Sequence, residues 1–137
     1  MARAIDLVGE WGSLLILREA FGGATRFDVF QRRLGISRNL LTTRLKRLVD
    51  GGVLERRPVA AAARRHEYVL TAMGEDLFPM VVAMRQWGDR WLFTPETVPA
   101  DMIDARDGAA IAPLEVRSVS GERLFLKDLG LKMRRKA

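Results

Sequence analysis

The sequence predicts a mainly α-helical chain with one small β-hairpin, an α+β class, followed by a C-terminal extension. Three observations predict it. Glycine pairs at Gly22-Gly23 and Gly51-Gly52 stop helical apolar patterns. Two β-type runs, residues 53–57 and 66–70, flank an alanine-rich loop tipped with arginine. After Phe93, Pro95, Pro99 and Pro113 interrupt a linker that is acidic at Glu96, Asp101, Asp104 and Asp107. With 137 residues and 48% hydrophobic composition, the chain suffices for one packed core and an appendage.

Along the chain, Ala4, Ile5, Leu7 and Val8 predict a short helix ending at Gly9. Ser13 is placed to N-cap a second helix, whose Leu14, Leu15, Ile16, Leu17, Ala20 and Phe21 are apolar on most sides and should be buried. Thr25 with Asp28 three residues later resembles a capping arrangement. It opens a helix carrying Phe27, Phe30 and Leu34 and ending at Gly35. Ile36 and Ser37 form a very short connection, and Ser37 is a good N-cap for a helix over residues 38–50. Two short helices around a tight turn are a helix-turn-helix signature.

At 100° per residue, Leu41, Leu45 and Leu48 fall within about 60° of one another and must face the core. Asn39, Thr42, Thr43, Lys46 and Arg47 fall on the opposite side. Amide, hydroxyl, ammonium and guanidinium groups are the types that hydrogen-bond base edges and phosphates in a major groove. A merely solvated helix more often carries Glu and Lys four apart, and this one has no acid before Asp50. A hairpin after a helix-turn-helix is a wing, and Arg64 and Arg65 at its base would reach a minor groove or phosphates. An arginine-bearing surface loop is the plainer alternative.

Thr71 can N-cap a long helix over residues 72–91, in which Pro79 should cause a kink or the loss of one backbone bond. Its Leu77, Val81, Met84, Gly88 and Trp91 follow a 4, 3, 4, 3 spacing, a seam suited to a partner helix, while Phe78, Val82 and Trp87 form a second stripe for the core. A single core using both stripes is the alternative. In the extension, residues 114–119 and 122–126 read as a hairpin around Ser120-Gly121. The domain expectation is therefore 1–92 for DNA binding and dimerisation and 93–137 for the extension.

Charge distribution bears on partners. The chain carries a formal net charge of +6, with 23 basic and 17 acidic residues. Residues 26–65 hold 11 basic and 3 acidic residues, a local surplus of +8, so the remainder carries −2 in all, even with a basic terminus at Lys132, Arg134, Arg135 and Lys136 included. A polyanionic partner meeting the middle of the chain is the expectation.

Cysteine is absent, which excludes a disulfide framework, a thiolate metal site and a thiol redox switch, and makes the cytoplasm the expected compartment. No purely apolar run, Leu14 to Leu17 included, comes near the roughly 20 residues a membrane span needs. An enzyme is disfavoured as well: the single histidine, His66, stands on a predicted wing strand without a cysteine or a matched carboxylate pair. No cofactor or metal is expected.

The chain resembles the HxlR family of bacterial winged helix-turn-helix regulators, relatives of the MarR group. The matching residues include Ala4-Ile5-Asp6-Leu7-Val8-Gly9, Leu14-Leu15-Ile16-Leu17-Arg18-Glu19, Arg26-Phe27, Gly35-Ile36-Ser37, Leu41-Thr42-Thr43-Arg44-Leu45, Gly52-Val53-Leu54-Glu55-Arg56 and Tyr68-Val69-Leu70-Thr71-Ala72-Met73-Gly74. Leu77, Pro79 and Trp87-Gly88 also match. The resemblance implies a homodimer formed by the terminal helices, with two recognition helices in successive major grooves of a pseudo-palindromic operator. Family members typically carry a cysteine near the N-terminus, which this chain lacks.

On this reading Asn39, Thr42, Thr43 and Arg47 read bases or adjoining phosphates of double-stranded DNA, Arg38 and Lys46 anchor the backbone, and Arg64 and Arg65 grip the flank. Arg44 stands at the core rim, open to either an intramolecular or a DNA role. Trp11, Phe21, Trp87 and Trp91 would line a cleft for a small apolar or aromatic effector, or simply pack the core and dimer. The alternative function is a winged-helix module for protein or RNA binding without a specific operator.

Overall fold

Apolar spacing and glycine stops place the helices close to where the sequence puts them. The computed structural model describes residues 1–60 and 64–134. Four helices come first: α1 (Ala2–Val8), α2 (Trp11–Phe21), α3 (Phe27–Leu34) and α4 (Arg38–Asp50). The strands β1 (Leu54–Pro58) and β2 (His66–Leu70) pair antiparallel, with Leu54 opposite Leu70 and Pro58 opposite His66. Helices α5 (Ala72–Glu75) and α6 (Phe78–Trp91) follow, and a 3-10 turn at Leu126–Asp128 lies in the extension. Compact packing divides the chain into Met1–Met84 and Arg85–Ala137, with α6 running across the division.

In the first unit the core is built by Ile16 and Leu17 of α2, Phe30 of α3, Leu41, Leu45 and Leu48 of α4, and Val53 and Leu54, all essentially sealed from water. The three leucines of α4 are thus the inward stripe that their spacing requires. Gly35 ends α3 with φ +62°, a left-handed conformation open to glycine at little cost, and turns the chain into α4 within two residues.

Three helix starts differ from the sequence expectation. Helix α2 begins at Trp11 after extended Glu10, so Ser13 is its third residue; it faces the core, wholly buried, with no hydrogen-bond partner for its hydroxyl among the described residues. At α3 the cap position falls to Arg26, without a side-chain cap, because Thr25 is drawn to the wing: its carbonyl accepts from the Tyr68 N–H at 2.7 Å. Asp28 pairs instead with Arg26 at 3.3 Å.

The long helix expected over residues 72–91 is the third case, being broken between α5 and α6. The break is the stronger response to Pro79, which lacks an N–H and falls at the second position of α6, where no intrahelical donor is needed. Thr71 caps α5 as expected, accepting from the Gly74 N–H at 3.1 Å, and its hydroxyl also donates to the Gly52 carbonyl at 2.5 Å.

The second unit folds around a side-chain amide. Gln86 donates to the Ala112 carbonyl at 3.0 Å and accepts from the Leu114 N–H at 2.8 Å, so its amide pairs with the extension as a neighbouring strand would. Arg85 is held by Asp89 at 2.6 Å and donates to the Ala100 carbonyl. The expected hairpin contracts to a single bridge, Arg117 opposite Arg123, around a turn through Ser118 and Gly121. A second bridge joins Ile103 and Ala110. Between them the Arg106 guanidinium, bonded to the Asp104 carboxylate at 2.9 Å, together with the Arg106 backbone N–H, holds the Asp104 carboxyl below the usual carboxylate range. Two strands alone are marginal in water, which accounts for bridges where a ladder was expected. Among the described residues no helix is long and apolar enough to cross a membrane.

Candidate nucleic-acid interface

The recognition-helix candidate is α4, and its start is fixed by Ser37, whose hydroxyl accepts from the Leu40 N–H at 3.2 Å. With Leu41, Leu45 and Leu48 committed to the core, Arg38, Asn39, Thr42, Thr43, Lys46 and Arg47 are all exposed. The structure therefore brings six of the eight sequence-selected contact residues onto one helix surface.

Their chemistry is more restricted than residue type alone suggests. Thr42 and Thr43 donate their hydroxyl hydrogens back to the carbonyls of Arg38 and Asn39, at 2.8 and 2.9 Å. What each offers outward is an acceptor oxygen and a methyl group, suited to a base amino group or to a thymine methyl. Asn39, whose side chain enters no hydrogen bond among the described residues, keeps both an amide donor and an acceptor. Lys46 is bridged to Asp50 at 2.5 Å, an exposed pair that a phosphate can displace at little cost.

Two arginines of α4 are engaged from within. Arg47 donates to the Asp6 carbonyl and lies 3.6 Å from Glu10, beside a cavity of about 240 Å³ lined by Arg3, Asp6 and Leu7. Arg44 forms an ion pair with Glu10, which answers its ambiguous position in favour of an intramolecular role. Glu10 is the residue that sequence reasoning missed. Its signal is an acid in the short gap between two helices of an otherwise basic half.

The wing carries Arg57 bonded to Glu67 at 2.9 Å and Arg56 at 3.3 Å from the His66 Nδ1. Arg64 and Arg65 are exposed at its base, while residues 61–63 of the loop, and Arg135 and Lys136 of the basic terminus, lie outside the described residues. A second cavity, about 430 Å³, opens where α3, α4 and the wing meet, lined by Thr25, Arg26, Phe27, Arg38, Arg65 and His66 among others.

The seam residues, Leu77 just before α6 and the others on it, divide differently from the sequence reading. Leu77 and Val81 pack against the core of the first unit, and Val82 is buried. Met84 is 52% exposed and Trp91 68%, as are Phe78 at 50% and Trp87 at 59%, from the stripe assigned to the core. Gly88 is half-buried, with nothing within 4 Å of where a Cβ would stand. Of the aromatic set proposed for an effector, Trp11 is exposed and Phe21 packs on Phe78 with ring centroids 5.4 Å apart.

The family profile described as HxlR-like helix-turn-helix matches residues 7–96. An uncharacterized HTH-type transcriptional regulator of Mycobacterium tuberculosis (strain H37Rv) is 41% identical over 129 residues, covering 94% of this chain and 82% of that protein. The crystal structure of PA1607, described as a candidate transcription factor, superposes with a TM-score of 0.90 at 38% identity, over 97% of this chain and 93% of that one. A candidate transcription factor of Pseudomonas aeruginosa, PA1374, gives a TM-score of 0.70 at 34% identity, over 99% and 92%.

Proposed function

The chain belongs to the HxlR-like helix-turn-helix family, and from that premise we propose that it acts as a homodimer on a pseudo-palindromic DNA operator. It is a transcriptional regulator of the helix-turn-helix type with DNA as its partner, and its family and relatives are regulators, not enzymes. The observation that carries the finer reading is the surface of α4. It is exposed and acid-free from Arg38 to Arg47, and its opposite stripe is locked into the core.

In this proposal Asn39, Thr42 and Thr43 read base edges, with Arg38 and Lys46 on the backbone, Arg47 at the groove wall and Arg64 and Arg65 on the flank. Residues 1–92 form the DNA-binding and dimerising module, and 93–137 are an extension to it. The dimer forms through α6, supported by the apolar exposure of Met84 and Trp91, with Gly88 permitting close approach; Leu77 and Val81 brace the helix from the core side. Control by a small apolar or aromatic effector completes the reading. The exposed indoles of Trp11, Trp87 and Trp91 give it a fluorescence readout.

The test is a shift assay on the region upstream of the gene at physiological salt, because low-salt binding by a basic protein is uninformative. Asn39→Ala with Thr43→Ala should lose the preference for operator over random duplex, each good base contact being worth about 1–3 kcal/mol. Wild-type discrimination by that variant sinks the assignment of this face. A preference for RNA over duplex DNA would favour the interaction-module alternative.

A further inference from the structure

The cavity between α3, α4 and the wing has a charge balance that its lining residues do not settle among themselves. Of its acids, Asp28 is committed to Arg26 at 3.3 Å and Glu67 to Arg57 at 2.9 Å. Arg38 and Arg65 have no carboxylate partner among the described residues. The Arg38 guanidinium instead lies over the Phe27 ring, 4.8 Å from its centroid. That stacking restrains a long side chain in one orientation and leaves its N–H edge available.

Arg38 is also the first residue of α4, at the positive end of the helix dipole, where a cation is disfavoured unless an anion is present. Two unpaired guanidiniums in one cleft of about 430 Å³, one of them pre-oriented, are what a single tetrahedral oxyanion requires.

We propose that this cleft is a preformed seat for one DNA backbone phosphate, shared by Arg38 and Arg65, with Phe27 as the positioning residue that holds Arg38 ready. The inference rests on the DNA-binding reading above and deepens it, since two contacts otherwise separate become one. When the N-terminal residues of α4 enter a major groove, the cleft beside them faces the sugar-phosphate wall. Holding Arg38 in advance lowers the ordering cost of binding.

The experiment is the salt dependence of duplex binding. Each neutralised phosphate contributes about 0.9 to the slope of log K against log salt. The wild type, Arg38→Gln, Arg65→Gln and the double variant are measured on a random-sequence duplex and on the best duplex selected from a random pool. The double variant should lose about 0.9 per protomer, against about 1.8 if the two arginines held separate phosphates. Phe27→Leu should weaken binding about two- to five-fold, and this effect should vanish in the Arg38→Gln background.

On the selected duplex, one neutral methylphosphonate should weaken the wild type and leave the double variant indifferent. A loss near 1.8 per protomer, no loss, or a Phe27→Leu effect that persists without Arg38 overturns the shared seat while duplex binding stands. If the wild type shows no duplex binding at all, the regulator reading fails and this inference falls with it.

Discussion

Glu10, the residue before α2, forms an ion pair with Arg44 in the middle of α4, and thereby ties the N-terminal helices to the candidate recognition helix. The Arg44 side chain is 21% exposed and that of Glu10 is 41%. Glu10→Gln should destabilise the fold by about 1–2 kcal/mol, less than the roughly 3–5 kcal/mol that breaking a fully buried pair costs, since Glu10 remains partly screened by water. Arg44→Met should cost less than Arg44→Ala, because the arginine stem lies 3.5 Å from where a Cβ on Gly12 would stand and methionine retains that packing. Urea midpoints at unchanged m-value check both, and a Glu10→Gln variant as stable as wild type removes the pair from the account.

The two serines considered as caps should respond oppositely. Ser37 caps α4 through the Leu40 N–H, so Ser37→Ala should cost about 1 kcal/mol. Ser13 is buried inside α2 with an unpartnered hydroxyl, so Ser13→Ala should be neutral or stabilise by up to about 1 kcal/mol. Denaturant unfolding of the two variants distinguishes a cap from a buried hydroxyl; equal destabilisation contradicts the placement of Ser13.

Glycines 74 and 88 form another contrasting pair. A Cβ on Gly74 would stand 2.2 Å from the Val53 carbonyl oxygen, so Gly74→Ala must push α5 away from the start of β1 and should cost about 1–3 kcal/mol or more. Gly88 meets nothing within 4 Å, so Gly88→Ala should stabilise the isolated chain by about 0.5–1 kcal/mol through helix propensity. If α6 is the dimer helix and Gly88 permits close approach, the same substitution should weaken self-association. Analytical ultracentrifugation showing unchanged association would take Gly88 out of the proposed interface.

Gln86→Ala should release the extension without unfolding the winged core, because the side chain supplies both hydrogen bonds to Ala112 and Leu114. Amide exchange at Leu114 should accelerate, while Leu41, Leu45 and Leu48 keep their protection. Exchange at Leu114 as slow as in the wild type would show that other contacts hold it.

The order of elements, the leucine stripe of α4, the Ser37 and Thr71 caps and both wing strands were legible because each is set by neighbours within a turn or a hairpin. What was misplaced depends on partners far along the chain. Ser13 and Thr25 are both good capping residues, yet Ser13 is taken by the core and the Thr25 backbone by the Tyr68 N–H. Pro79 signalled a disturbance in the last helix; whether it would kink or break is a matter of how the helix packs. In the candidate site, the exposure of Asn39, Thr42, Thr43 and Lys46 follows from helical period alone. The diversion of Arg47 to Asp6 and of Arg44 to Glu10 involves contacts more than thirty residues apart.

By itself the sequence determined a winged helix-turn-helix with its basic surplus concentrated in residues 26–65, since periodicity, capping and composition are local properties of the chain. Only the tertiary structure decided which charges remain available to a partner. Ion pairing falls off within a few ångströms, and the distances that pair Arg44 with Glu10 and leave Arg38 resting on Phe27 exist only once the helices have packed.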